Sequence, residues 1–163
     1  MTAEDVIRLL ELKPHPLEGG YYRETYRSVE SRGPDPSSSR PRSLATAIYF
    51  LLTPDTFSAL HRLPADEIFH HYAGDPVKML QLDPAGGGRV LVLGRALERG
   101  ERPQAVVPRG VWQGSRLQSG GRFALLGTTM APGFDLADYE PGAREDLSAA
   151  WPQFRREIRA LTR

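Results

Sequence analysis

Three of the four histidines in this 163-residue chain fall in one short stretch, Phe57 to Gly74, which reads FSALHRLPADEIFHHYAG. They are His61, His70 and His71, with Asp66 and Glu67 between them; His15 stands apart. Imidazoles and carboxylates this close together suit two chemistries. They can hold a divalent metal, or an imidazole can act as a proton-transfer base oriented by a carboxylate. The bland alternative is a buried His–Glu pair that satisfies its own polar groups.

Alternation along extended backbone decides which of these side chains can meet. In a strand from Phe57 to Arg62, the residues Phe57, Ala59 and His61 share a face. In a strand from Glu67 to Ala73, the residues Glu67, Phe69 and His71 share a face opposite Ile68, His70 and Tyr72. With Pro64-Ala65-Asp66 as the turn, antiparallel pairing of the two strands brings His61 and Glu67 together on the interior face. His71 then lies further along that face and His70 points away.

The rest of the chain supplies the scaffold. Thr2 and Asp5 read as a capping box opening a helix from about Ala3 to Leu12, which Pro14 and Pro16 stop. Tyr21 to Arg27 reads as a strand with Tyr22, Glu24 and Tyr26 on one face and Tyr21, Arg23 and Thr25 on the other. Residues Ser31 to Arg42 are rich in Pro, Ser and Arg and have little to bury, which predicts a loop. Short apolar runs occur at Leu44–Leu52, Phe57–Arg62, Glu67–Ala73, Val77–Leu82, Val90–Leu93, Gln104–Val107, Val111–Leu117 and Arg122–Ala131, separated by Pro, Gly and Asp. Many short strands at close intervals predict an all-β barrel or jelly roll. From Asp146 to Leu161, the residues Leu147, Trp151, Phe154, Ile158 and Leu161 recur at helical spacing, with arginines on the wet face.

Composition narrows the function classes. The length suits one ordinary domain over residues 1–163. Without cysteine there are no disulfides, thiolate zinc sites or cysteine nucleophiles. A net charge of +1 gives no overall bias toward nucleic acid or an anionic membrane. The amphipathic, acidic N-terminus does not read as a signal peptide, and no apolar run is long enough to span a bilayer, so the expected location is cytoplasmic. Gly86-Gly87-Gly88 reads as a hairpin loop rather than a phosphate cradle, and no serine sits in a nucleophile-elbow context.

The spacing from His61 through Glu67 to Gly74 resembles the first motif of the cupin superfamily: His, any residue, His, three or four residues, Glu, six residues, Gly. His61 takes the first histidine position, Glu67 is in register and Gly74 comes after it, while Leu63 occupies the second histidine position. Pro108-Arg109-Gly110-Val111-Trp112-Gln113 resembles the end of the second motif, with Gln113 in place of its histidine. A narrower resemblance runs through EGGYYRETYRS (Glu18–Ser28), AIYFLL (Ala47–Leu52), HRLPADEIFHHYAGDP (His61–Pro76), VPRGVWQ (Val107–Gln113) and LLGTTMAPGFDLADYE (Leu125–Glu140). These segments, in this order, are similar to a small single-domain cupin family of bacteria and fungi with no established reaction. The resemblance implies a cupin-type double-stranded β-helix jelly roll with a short N-terminal helix and a C-terminal helical tail. It also implies a homodimer.

The resemblance leaves three functions open. The first is a metal-independent sugar-type isomerase or epimerase. By analogy with epimerases of the superfamily, His61 would take a proton beside a carbonyl, Glu67 would orient it, and Tyr22 or Tyr49 would return one. The second is a metal-dependent enzyme with a reduced divalent-metal set, His61, Glu67 and Gln113. The third is a non-catalytic ligand-binding or sensory module. In each, a small polar, sugar-like or anionic molecule is the expected partner. Trp112 would stack on a planar ligand, Arg23 would meet an anion, and Tyr22, Tyr49, His71 and Gln113 would complete the lining.

Overall fold

The capping box forms as its residues require. Thr2 Oγ1 accepts from the Asp5 backbone N–H at 3.2 Å, and the Asp5 carboxylate accepts from the Thr2 N–H at 3.0 Å. Helix α1 (Ala3–Leu9) starts there and ends sooner than the apolar spacing predicts. Glu11 turns the chain in the left-handed region, at φ 53°, and folds Leu12 back so that its N–H meets the Ile7 carbonyl. Val6 and Leu12 are thereby buried against Leu51 and Phe123.

In this computed structural model, which describes residues 1–33 and 41–163, strands dominate the chain beyond α1. They are β1 (Lys13–Pro14), β2 (Tyr21–Arg27), β3 (Ser31–Arg32), β4 (Arg42–Ser43), β5 (Thr46–Leu52), β6 (Ser58–Arg62), β7 (Glu67–Gly74), β8 (Val77–Leu82), β9 (Gly88–Leu93), β10 (Gln104–Val107), β11 (Trp112–Leu117), β12 (Ala124–Met130) and β13 (Glu140–Pro141). One sheet has the order β1-β2-β5-β12-β7-β10 and the facing sheet β13-β6-β11-β8-β9. The chain is a jelly roll of two antiparallel sheets, as the strand spacing predicts, and of the cupin type that the motif resemblance implies. Strands β3 and β4 pair as a separate hairpin; the middle of the expected Ser31–Arg42 loop, including Arg40, lies outside the described residues. Among the described residues no helix is long and apolar enough to cross a membrane.

Two expectations about the central stretch are corrected. Strands β6 and β7 do not pair with each other; they belong to opposite sheets. The segment between them is a corner rather than a hairpin turn. Leu63 and Ala65 are buried with Met130 at the end of the barrel, Pro64 lies between them, and Asp66 accepts from the Arg109 N–H at 2.8 Å. Burial of those two apolar side chains carries the chain from one sheet to the other.

The second correction concerns the faces of β6. Its register with β11 shifts: Gln113 pairs with His61, but Ser115 pairs with Ser58, so one residue of β11 opposes two of β6. Such a bulge breaks simple alternation. Ser58 and His61 both face the interior, while Phe57, expected inside, packs outside against Leu60 and the C-terminal helices. Gly114 fits the bulge because a Cβ there would lie 3.1 Å from the Leu60 Cγ and from the Ser58 carbonyl oxygen.

Inside the barrel, Phe50, Leu52, Phe69, Val77, Met79 and Leu126 form the main core. Outside, Leu60, Leu80, Leu82 and Trp112 pack against Leu147, Trp151, Ile158 and Leu161. Each such side chain contributes about 1.5–3 kcal/mol on burial. The helical tail is divided into α2 (Arg144–Ala150) and α3 (Arg155–Ala160) by a 3₁₀ turn at Pro152–Phe154. Pro152 lacks the N–H that a continuous helix needs and pushes Trp151 to φ −126°, ψ 68°. The indole N–H of Trp151 then reaches the Gly87 carbonyl at 3.0 Å, fixing the tail to the β8–β9 hairpin.

Candidate functional site

Five polar side chains converge at one end of the barrel, from elements far apart in sequence. Strand β7 places Glu67 on the interior face of one sheet, and β6 and β11 place His61 and Gln113 as cross-strand neighbours on the other. All three are buried. The Gln113 amide donates to Glu67 Oε2 at 2.6 Å and so joins the two sheets. Glu18 enters from the loop before Gly19-Gly20 and accepts from the Ser58 hydroxyl that the bulge turns inward. The two glycines take positive φ values, 101° and 70°, which lets the loop double back at the start of β2. Its backbone is anchored where the Ala59 N–H donates to the Glu18 carbonyl at 2.9 Å.

Hydrogen bonds fix the two imidazoles in opposite senses. His61 Nδ1 lies 2.7 Å from the Ala59 carbonyl. A carbonyl only accepts, so Nδ1 carries the hydrogen and the neutral ring keeps a lone pair on Nε2. His15 Nδ1 accepts from the Glu18 N–H at 2.9 Å, so its neutral ring carries the hydrogen on Nε2. His61 stacks on Tyr139 with ring centroids 4.8 Å apart, and His15 meets Tyr22 edge-on at 4.7 Å. The orienting partners of His61 are therefore the Ala59 carbonyl and the Tyr139 ring, in place of the expected Glu67 carboxylate.

Burial sets the protonation of the cluster. It pushes His15 down to about 4, with nearby His61 adding to the effect. It also lowers His61, against the opposing pull of Glu67 and the Ala59 carbonyl. Burial lifts Glu67 to about 7, aided by the negative charge of Glu18 and opposed by His61, Gln113 and Thr128. Glu18 is likewise lifted to about 7 by burial of its carboxyl group, although the residue as a whole is only part-buried. Tyr139 is raised by burial and by Glu18. At neutral pH both imidazoles are uncharged, and the carboxylates are close to half-protonation.

A cavity of about 40 Å³ opens beside this cluster. Its polar wall comprises His15, Glu18, Tyr22, Glu67 and Thr128, and Leu63, Met130 and Phe134 form an apolar end. His61 lies behind that wall, 1% exposed, and does not line the cavity. The space has room for a few waters and is well below the roughly 300 Å³ of an ordinary small-molecule site.

The other sequence-selected residues are elsewhere. Tyr49 is on the outer face with α1, and Arg23 pairs with Glu11 at 2.9 Å on the same outer face. Trp112 is outside the barrel under the C-terminal helices, with the Arg62 guanidinium over its ring. His71 does face inward, but toward the far end, where Nε2 donates to the Asp75 carbonyl at 3.0 Å and Nδ1 is unpartnered. His70 is on the opposite face, near Gln104 and Thr129. The sequence pattern does not single out His15, Glu18, Ser58, Thr128 or Tyr139, which the fold brings to this end of the barrel. Ser58 depends on a bulge that alternation cannot show. His15 and Glu18 depend on a loop whose only sequence signal is Gly19-Gly20.

The divalent metal implied by the cupin motifs does not fit these residues. The Gln113 amide already occupies a Glu67 oxygen, and Leu63 supplies no donor. Among the described residues no group of three or more His, Asp or Glu side chains is arranged to hold a metal ion.

Comparison with known proteins agrees with the fold and with the family resemblance. The family model described as Cupin superfamily (DUF985) matches residues 4–141. The chain is 32% identical over 133 residues to the uncharacterized protein YML079W of Saccharomyces cerevisiae. That alignment covers 75% of this chain and 66% of the yeast protein, just under two thirds of its length. The crystal structure of protein SO0799 from Shewanella oneidensis is similar with a TM-score of 0.89 and 40% identity, covering 100% of this chain and 98% of that one. A hypothetical protein from Leishmania major gives a TM-score of 0.89 at 35% identity, covering 99% of each chain. The jelly roll, the His61–Glu67–Gly74 spacing and the matched family model together place this chain in the Cupin superfamily (DUF985) family.

Proposed function

We propose that the barrel end is a metal-independent acid–base site that moves a proton on a small carbonyl compound, as a sugar-type isomerase or epimerase does. The observation that supports this reading is the pairing of Glu67 and Glu18, both lifted to about 7, on the wall of one cavity. A carboxylate near half-protonation at working pH can both take and return a proton. Among the described residues no cation pairs with either carboxylate, so the two are not held together by an ion pair.

The roles differ from those that the motif alone implies. Glu67 borders the cavity and His61 does not, so Glu67 is the group that takes the proton from the carbon beside the carbonyl. His61 is a positioning residue behind it, whose imidazolium form, when present, favours the ionised form of Glu67. The His15 Nε2–H is a neutral donor for the carbonyl oxygen as negative charge develops there. Glu18 or Tyr22 returns a proton to the opposite end. Only the reacting end of a substrate fits the present cavity; the remainder must extend past Phe134 and Glu24.

The test is solvent exchange. Aldoses, ketoses and 2-oxo acids incubated with the protein in deuterated water should lose one C–H signal in the NMR spectrum. Glu67→Gln should abolish that loss, and His61→Ala should slow it about tenfold or more while shifting its pH profile. Undiminished exchange in Glu67→Gln would refute the assignment. A ligand that co-purifies unchanged and raises the melting temperature, with no exchange, would replace the reading with a binding module.

A further inference from the structure

The outer face of the second sheet carries a feature unrelated to the barrel interior. Lys78 on β8 and Arg116 on β11 are direct cross-strand partners. Both are exposed and point outward, because their neighbours Val77, Met79 and Leu117 face the core. Like charges directly opposite one another in a sheet are destabilising. Arg156 of α3 adds a third cation to the same groove, which measures about 590 Å³. Its floor includes Leu80 and its cross-strand neighbour Val90, and Glu157 is its one carboxylate.

Some arginines elsewhere have carboxylate partners: Arg23 with Glu11, Arg27 with Glu24, Arg42 with Asp138 and Arg62 with Glu140. Arg95, Arg109, Arg155 and Arg159 have none among the described residues, and none of these four stands in the groove. Among the described residues, no ion pair or hydrogen bond engages the side chains of Lys78, Arg116 or Arg156. The sheet thus holds two opposed cations at about 5 Å between Cβ atoms without a counter-charge, beside a third.

We propose that this groove binds a small molecule bearing a phosphate or diphosphate group. The anion lies between Lys78, Arg116 and Arg156, and the apolar body of the ligand rests on Leu80 and Val90. A guanidinium fork matches two phosphate oxygens and an ammonium adds a point charge. The volume lies within the range of ordinary small-molecule sites. A net charge of +1 favours a small ligand over a nucleic-acid backbone.

Titration calorimetry with inorganic pyrophosphate at low salt tests the proposal, with amide NMR shifts to locate binding. One saturable site is expected, with shifts confined to the Lys78, Arg116 and Arg156 region. The double variant Lys78→Gln/Arg116→Gln should bind at least tenfold more weakly, yet melt at the same or a higher temperature because a like-charge pair is gone. Arg156→Gln, on the helix surface, should weaken binding independently. Absence of saturable binding, undiminished binding in these variants, or response only to long nucleic acid would overturn the proposal. A lower melting temperature in the unliganded double variant would also overturn it, because the pair would then be structural.

Discussion

Gln113 donates its amide hydrogen to Glu67 across the barrel, at 2.6 Å, and links the two sheets beside His61. Both residues are buried, so the bond provides solvation that water cannot. Gln113→Leu keeps most of the volume and removes the donor. It should cost about 1–3 kcal/mol in urea denaturation at pH 8, where Glu67 is mostly ionised. At pH 5, with Glu67 protonated, the cost should be smaller. Equal losses at the two pH values would show that the bond does not serve the charged form.

Glu67 makes a signed prediction for stability against pH. Its folded value of about 7 lies above the ordinary 4.5. Between these values the native state holds more protons than the unfolded chain, so stability falls as pH rises from 4.5 through 7. Glu67→Gln removes that dependence while still accepting from Gln113. The variant should exceed the parent by on the order of 2 kcal/mol at pH 8 and match it near pH 4.5. His15 slopes oppositely: its folded value of about 4 makes stability rise with pH from 4 to 6.5. That slope is common to parent and variant, whereas Glu18, also lifted to about 7, slopes as Glu67 does, so the difference reports Glu67 together with its effect on Glu18. Chemical denaturation across pH 4.5–8.5 measures it.

The fold was legible because its signals are local. The strands predicted at Val77–Leu82 and Gln104–Val107 form with those bounds, and the capping box at Thr2 and Asp5 forms as written. The single C-terminal helix was misread at Pro152, where one missing N–H outweighs apolar spacing. The site was only partly legible. His61, Glu67 and Gln113 meet, but across two sheets rather than along a hairpin, because buried Leu63 and Ala65 turn the intervening segment into a corner. Tyr49 and Trp112 were drawn toward the site by residue type, whereas strand parity puts them on outer faces against helices. Glu18 and His15 meet the cluster through tertiary contacts that no local pattern encodes.

Stacking of Tyr139 on His61 predicts an effect on the histidine's titration. Burial is the main cause of the lowered His61 value, and the Tyr139 ring is part of that cover. Tyr139→Ala should admit water and raise the value toward 6.5. Tyr139→Phe keeps the ring and should leave it nearly unchanged. Imidazole carbon-bound proton shifts monitored by NMR distinguish the two. Identical titration of His61 in both variants would show that the ring does not shield it.

The bulge that turns Ser58 inward depends on Gly114. A Cβ at that position would lie 3.1 Å from the Leu60 Cγ, 3.1 Å from the Ser58 carbonyl oxygen and 3.2 Å from the Leu60 nitrogen. Two of these atoms are backbone and cannot rotate away. Gly114→Ala should therefore cost about 1–3 kcal/mol through overpacking. It should also loosen the Ser58–Glu18 hydrogen bond. That bond holds the Glu18 value down against burial, so the value should rise further. Gly87→Ala is the matched control, since its Cβ would meet only the Asp83 Cβ at 3.9 Å. Thermal melts of the two variants, with carboxyl-carbon NMR of Glu18, make the comparison. Equal melting temperatures would mean that the bulge tolerates a side chain at this position and that Gly114 is not what holds Ser58 in the site.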